Sequence, residues 1–141
     1  MRVKGMVGQW LGFAVVALAV LGPGIARAGS PHFVSVTVER DGDTLIADGK
    51  EAGLGSETQV HIVLSADAAC INPGDHHPKA DNKEAFSAEG DFPVQNGKAV
   101  FFLELTPTFQ PDCSPPMSVV FTNVKVCDEE HNVCTRFSGT Y

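Results

Sequence analysis

The chain has 141 residues, and its 17 acidic and 10 basic side chains give a net charge of −7 at pH 7. A negative charge of this size repels the phosphates of nucleic acids and of anionic lipids. We therefore expect no nucleic-acid partner and no docking on acidic membranes.

Residues 1–28 predict a cleaved export signal. Two basic residues open it, and residues 10–21 form an apolar segment of signal-peptide length. This segment is shorter than the roughly 20 residues that span a bilayer. Ala26 and Ala28 are small residues at the positions that signal peptidase reads, which predicts cleavage before Gly29. We expect a secreted, extracellular protein with no membrane association after cleavage.

Residues 29–141 are predicted to form one domain. They keep seven basic and all seventeen acidic residues, a net charge of −10. A chain of this length buries roughly 65% of its unfolded surface around a single core. We expect this domain to be a freely released monomer.

Short runs of alternating apolar and polar residues, separated by turn residues, predict seven β-strands and no helix. The predicted strands are residues 33–40, 44–48, 59–66, 83–89, 99–105, 117–127 and 133–138. Seven mostly antiparallel strands in about 110 residues are typical of an immunoglobulin-like β-sandwich. We therefore predict an all-β, seven-stranded, Ig-like antiparallel β-sandwich.

Alternation also predicts which side chains share a face. The sets are Val34, Val36 and Val38 on one face of the first strand, Val60, Ile62 and Leu64 inward on the third, and Phe101, Leu103 and Leu105 inward on the fifth. Between the fourth and fifth strands, Asn96-Gly97 predicts a type I′ hairpin turn, because both central positions of that turn need a positive φ.

Four cysteines in an exported chain predict two disulfides. A zinc site is the alternative, but the chain has no C-x-x-C pair. In the predicted topology the third and sixth strands are antiparallel neighbours, so Cys70 and Cys113 lie at one end of the sandwich. Cys127 and Cys134 face each other across the last hairpin, at the opposite end. We predict the pairs Cys70–Cys113 and Cys127–Cys134.

The histidines do not form a recognisable metal or catalytic motif. His76 and His77 are adjacent in a long loop, where they are either solvated residues or part of a metal site with Asp75 or Asp81. His61 is predicted on an outer sheet face. We expect no metal site and no cofactor.

Other chemical motifs are equally weak. His131 is predicted to be exposed at a turn tip. The segments 41–43 and 72–75 carry carboxylates, but turn chemistry explains them better than calcium does. The chain has no G-x-S-x-G elbow, and disulfides account for every cysteine. We therefore predict no catalytic residues and a protein that is not an enzyme.

Two long connections predict a working surface. Residues 67–82 and residues 106–116 join strands, and the predicted Cys70–Cys113 bond ties them together at one end. Such tethered loops either present a binding surface or stiffen the chain against proteases. The candidate contact residues are His76, His77 and Phe109.

Three segments carry a resemblance to known proteins: residues 49–55, residues 69–74 with Asn82-Lys83, and residues 95–98. Together they resemble small exported bacterial Ig-like β-sandwich proteins of unassigned activity. The resemblance supports the fold and export and implies no activity.

The chain also resembles the neocarzinostatin-type apoproteins, which are secreted, acidic, seven-stranded and doubly disulfide-bonded. That family holds an apolar chromophore in a cleft. The long span between Cys70 and Cys113 departs from its short disulfide loops, so no chromophore-binding residue is carried over.

We therefore expect a secreted, non-enzymatic β-sandwich that acts as an extracellular interaction or structural module on a protein or cell-surface partner. One alternative is a carrier of an apolar small molecule, which needs an apolar cleft. The other is a secreted hydrolase, which needs a histidine beside a serine or carboxylate in a cleft.

Overall fold

The computed structural model describes residues 29–73 and 83–141 of the chain. The predicted signal peptide, residues 1–28, lies outside these ranges, as do His76, His77, Asp75 and Asp81. Among the residues described, no helix is long and apolar enough to cross a membrane.

Seven antiparallel strands form the fold. They are β1 (His32–Asp41), β2 (Thr44–Ala52), β3 (Gln59–Ile71), β4 (Lys83–Gln95), β5 (Lys98–Leu105), β6 (Ser118–Asp128) and β7 (Val133–Phe137). Four of the predicted strands agree with these bounds to within one residue at each end. The strands β2, β3 and β4 continue four to six residues further than predicted.

The strands follow the order β1-β2-β5-β4-β3-β6-β7 in one continuous sheet. One half of this sheet contains β1, β2 and β5, and the other contains β3, β6 and β7. Strand β4 joins the two halves, because residues 83–93 pair with β3 whereas Val94 and Gln95 pair with β5. The edge strands β1 and β7 approach each other, so the sheet is nearly closed. An all-β fold of seven antiparallel strands is therefore confirmed.

The inner faces of both halves contribute to one core. Inward alternation on β3 and β5 is confirmed, since the six side chains predicted to face inward are all buried: Val60, Ile62, Leu64, Phe101, Leu103 and Leu105. Phe121 from β6 is also fully buried in this cluster. Burial of this apolar surface is the main favourable contribution to folding.

Strand β1 departs from simple alternation at Val34. A bulge between Phe33 and Ser35 shifts the register against β2. Phe33 packs on the core with Val36 and Val38, while Val34 is 57% exposed. The prediction that Val34 shares a face with Val36 and Val38 is wrong, because it assumed a strand without a bulge.

The hairpin between β4 and β5 has the predicted turn. Asn96 and Gly97 both have positive φ angles, 53° and 72°, and Gln95 pairs with Lys98 across the turn. These two residue types tolerate that conformation, which matches the twist of the flanking strands.

Both predicted disulfides are present. Cys70 bonds Cys113 with their Cα atoms 5.7 Å apart, and Cys127 bonds Cys134 with theirs 4.2 Å apart. The second pair lies directly opposite in the register of β6 and β7. Two disulfides are typical of proteins that fold in an oxidising compartment.

The first predicted connection is shorter than expected. Residues 67–71 continue β3, so Cys70 lies inside the strand and not after it. Their pairing with both β4 and β6 explains the difference, because hydrogen bonds on both sides hold these residues extended. The second connection, residues 106–116, does lie between β5 and β6.

Phe109 in that second connection faces the core. Its ring packs on Phe86 with the ring centroids 5.6 Å apart in an edge-to-face arrangement. The side chain is half-buried against the hydrophobic cluster. Phe109 therefore has a packing role, and its predicted role as a binding contact stays a prediction.

We expect Phe109→Ala to lower the free energy of unfolding by about 2 kcal/mol, because full burial of a phenylalanine contributes about 3–5 kcal/mol. Phe102→Ala is the matched control. Its ring is 55% exposed, so the loss should be about 0.5 kcal/mol or less. Denaturant unfolding of both variants measures the difference, and equal losses would contradict the packing of Phe109.

Candidate functional site

Four polar side chains meet at the end of the molecule that carries the Cys127–Cys134 bond. Glu51, Asp128 and His131 offer oxygen and nitrogen atoms that all lie within 4.8 Å of one another. Glu57 contacts the outer side of His131. We call these four residues the acid–histidine cluster.

Strand alternation places both buried carboxyl groups. Glu51 is on the inner face of β2, in phase with Leu45 and Ala47. Asp128 is the last residue of β6 and lies in phase with Val126. Because each half of the sheet contributes one acid, the two carboxyl groups approach each other at the edge of the core. Both residues have 0% exposure.

His131 in the β6–β7 turn covers this acid pair. Its Nδ1 lies 2.5 Å from Oδ2 of Asp128, and its Nε2 lies 3.0 Å from Oε1 of Glu57. Its backbone N–H donates to Oδ1 of Asp128 at 3.2 Å. The hydrogen bond to Asp128 is the largest cause that raises the pKa of His131. The prediction that His131 is simply exposed is wrong, because the side chain is only 22% exposed and both ring nitrogens have carboxylate partners.

Glu51 is the anomalous member of the cluster. Among the described residues, no donor reaches either of its carboxyl oxygens. Burial raises the pKa of Glu51 well above its ordinary value of 4.5, and the hydrogen bond that a protonated Glu51 would donate to Asp128 raises it further. A buried, unpartnered carboxylate is strongly unfavourable. Glu51 therefore requires either a proton or a cation in the folded protein.

A second feature is an exposed apolar area on the outer side of β1, β2 and β5. Val34, Val100 and Phe102 are 57%, 70% and 55% exposed. Lys50 pairs with Val100 across β2 and β5, and Lys98 is on the same side of β5, two residues before Val100. We call these five residues the β5 face.

A groove of about 440 Å³ crosses the β5 face. Its lining combines polar and apolar side chains and includes no carboxylate: Lys50, Pro93, Gln95, Asn96, Lys98 and Val100. Within residues 29–73 and 83–141, neither Lys50 nor Lys98 forms an ion pair. The groove is therefore a locally positive site on an acidic protein.

His61 forms a separate, exposed group with two acids. Its Nδ1 lies 2.7 Å from Oδ1 of Asp91, and its Nε2 lies 3.3 Å from Oε2 of Glu89. The hydrogen bond to Asp91 is the largest cause that raises the pKa of His61, and the bond to Glu89 raises it too. The side chain lies on the outer face of β3, as predicted.

The sequence interpretation missed the acid–histidine cluster. The predicted second strand ends at residue 48, three residues before Glu51. Alternation along that strand therefore does not predict that Glu51 faces the core. Asp128 and His131 are three residues apart at the last turn, and that spacing was the available signal. The candidate contacts His76 and His77 lie outside the described residues.

Comparisons with known proteins do not assign the chain. It matches no family model, no curated protein and no solved structure.

We expect His61 to titrate above its ordinary pKa of 6.5 in the folded protein, and near 6.5 after unfolding in urea. The charged ring therefore stabilises the fold fully below pH 6.5, and this contribution is lost as the pH rises through the folded pKa. NMR titration of the imidazole signals measures both values.

Asp91→Asn should return the His61 pKa toward 6.5 by more than Glu89→Gln does, because the Asp91 hydrogen bond is the stronger cause. The two variants control for each other, since each removes one carboxylate from the same ring. A larger effect of Glu89→Gln would contradict this ranking.

Proposed function

We propose that this protein is an exported, non-enzymatic binding module with an immunoglobulin-like β-sandwich. The strand order supports the fold assignment: β1-β2-β5-β4 and β3-β6-β7 correspond to the two sheets of the constant-type Ig topology. The pairing of β4 with β3 is the departure from that plan, because it joins the two sheets. The predicted signal peptide and the two disulfides support export and an extracellular location.

The observation that carries the binding proposal is the β5 face. Three large apolar side chains are each more than half exposed on one side of the sheet. Single exposed apolar residues are ordinary, but a grouped set beside a groove is typical of an interaction surface. Holding these side chains on paired strands also reduces the entropy lost on binding.

The charges that line the groove beside Val100 indicate what binds there. Lys50 and Lys98 flank Val100 in the groove, whereas the rest of the mature chain is strongly acidic. Complementary charge favours a partner that presents a carboxylate. We propose a segment of a partner protein in which an apolar side chain packs on Val100 and Phe102 while a neighbouring carboxylate pairs with the lysines.

A photo-crosslinking side chain at Val100 tests this proposal in the culture of the producing cells. We expect one discrete adduct with a second protein. Lys50→Glu combined with Lys98→Glu should reduce its yield about tenfold or more, because like charges at an interface repel the partner. Ser87 is the matched control, since it is exposed on β4 in the other half of the sheet.

Three outcomes would overturn the proposal. The first is an equal yield of the same adduct from Ser87. The second is an adduct that the charge reversal leaves unchanged. The third is an adduct with the mass of two copies of this chain, which would identify the β5 face as a self-association surface.

A further inference from the structure

We propose that the acid–histidine cluster binds one divalent cation of the zinc class through the carboxylates of Glu51 and Asp128 and Nδ1 of His131. This site is separate from the β5 face, and it does not depend on the proposed binding function.

Glu51 is fully buried beside Asp128 and His131. A cluster of acidic residues is common on protein surfaces and does not by itself indicate a ligand. Here one acid has 0% exposure, points into the cluster, and leaves both oxygens without a hydrogen-bond partner among the described residues. Buried polar atoms are satisfied in more than about 90% of cases, so an unsatisfied carboxyl group needs an explanation.

The charges of Glu51 and Asp128 favour a cation between them. Two carboxylates buried side by side repel each other, and each has lost its hydration. A divalent cation would neutralise both charges and supply the interaction that Glu51 lacks. Within the described residues, Asp128 forms an ion pair only with His131, and Glu51 forms none.

The spacing of the three ligand atoms is close to that of a zinc site. The three ligand atoms lie within 4.8 Å of one another. A tetrahedral zinc ion with bonds of about 2.0–2.1 Å holds its ligand atoms about 3.3 Å apart. Small movements of the side chains would bring the cluster to that geometry, with one distance shortened and another lengthened. Glu51 would move inward, and the 2.5 Å contact between Asp128 and His131 would open by roughly an ångström.

Glu57 contacts the ring nitrogen of His131 that faces away from the acid pair. A histidine that binds a metal through one ring nitrogen usually donates its other N–H to a carboxylate, which fixes the tautomer and the ring orientation. Nε2 of His131 lies 3.0 Å from Oε1 of Glu57. Nδ1 of the same ring points at the acid pair. Glu57 therefore orients His131 in the way that a metal ligand requires.

The surrounding chain holds the ligands in place. The Cys127–Cys134 bond closes the hairpin that carries both Asp128 and His131. The hydrogen bond from the backbone N–H of His131 to Asp128 fixes the turn. An ion can enter from solvent beside the partly exposed side chains of His131 and Glu57.

The donor set indicates the class of ion. Calcium takes six to eight oxygen ligands, and two buried carboxylates with one imidazole do not provide them. Two carboxylates and one imidazole suit zinc and its neighbours in the first transition row. Zinc with three protein ligands leaves a fourth position for water.

Titration of the metal-free, disulfide-bonded protein with ZnCl₂ tests the proposal. Isothermal calorimetry measures affinity, and native mass spectrometry measures stoichiometry. We expect one Zn²⁺ per chain with a Kd of about 1 µM or tighter. Glu51→Gln and His131→Gln should each weaken binding about 100-fold or more, and Glu57→Gln about 10- to 100-fold.

Two variants serve as matched controls. His61→Gln removes the other histidine that contacts two carboxylates, and a His76→Gln/His77→Gln double variant removes the adjacent pair in the sequence. Both should bind Zn²⁺ with unchanged affinity. Glu51→Gln conserves shape, and His131→Gln alters only a turn, so two independent variants test the site. Circular dichroism checks that each is folded.

The proposal is overturned if the wild-type protein shows no saturable binding at about 100 µM Zn²⁺, a concentration 100 times the expected Kd. In that case the acid pair holds a proton and not an ion. It is also overturned if one Zn²⁺ still binds to folded Glu51→Gln and His131→Gln, or if the His76/His77 double variant alone abolishes binding.

Discussion

The alternation of side chains along a β-strand is the constraint on which the rest of this structure depends. It turns Leu45, Ala47 and Glu51 to the same face of β2, so the register that buries the apolar residues also buries the acid. The same holds for Val126 and Asp128 on β6. Neither strand can expose its carboxyl group by sliding one residue, because that shift would turn its apolar residues to solvent. The acid pair is therefore maintained at the cost of desolvation, and hydrophobic burial elsewhere must offset that cost.

The two ends of the molecule are stabilised by different means. At one end, Cys70–Cys113 ties β3 to the connection before β6, and Phe109 closes the core by packing on Phe86. At the other end, Cys127–Cys134 braces the last hairpin, but polar side chains complete the core there. Apolar packing needs no ligand, whereas a buried pair of acids needs a proton or a cation. The end around Phe109, which the sequence indicated as the interaction surface, is consequently the end that is complete without a ligand.

The sequence predicted the features that depend on local rules. Alternation located all seven strands, and Asn96-Gly97 located the hairpin. The disulfides followed from the assumed topology, in which β3 and β6 are antiparallel neighbours. Neither alternation nor that topology predicted the details of pairing between distant strands. The extension of β3 through Cys70 requires pairing with β4 and β6, and the bulge at Val34 requires the register with β2. The acid–histidine cluster joins Glu51 to His131, which are eighty residues apart in sequence, so only the folded topology brings them together.

The two proposed sites meet on one strand. Lys50 and Glu51 are consecutive residues of β2 and face opposite sides of the sheet, Lys50 toward the β5 face and Glu51 toward the acid–histidine cluster. Glu51 also pairs in register with Phe33, next to the bulge that exposes Val34. An ion held by Glu51 would fix the backbone that positions Lys50 and Val34 on the opposite side. Because the side chains of Glu51 and Lys50 lie on opposite sides of the sheet, this effect would act through the backbone of β2. A metal site would then contribute to binding by rigidifying the surface, without touching the partner.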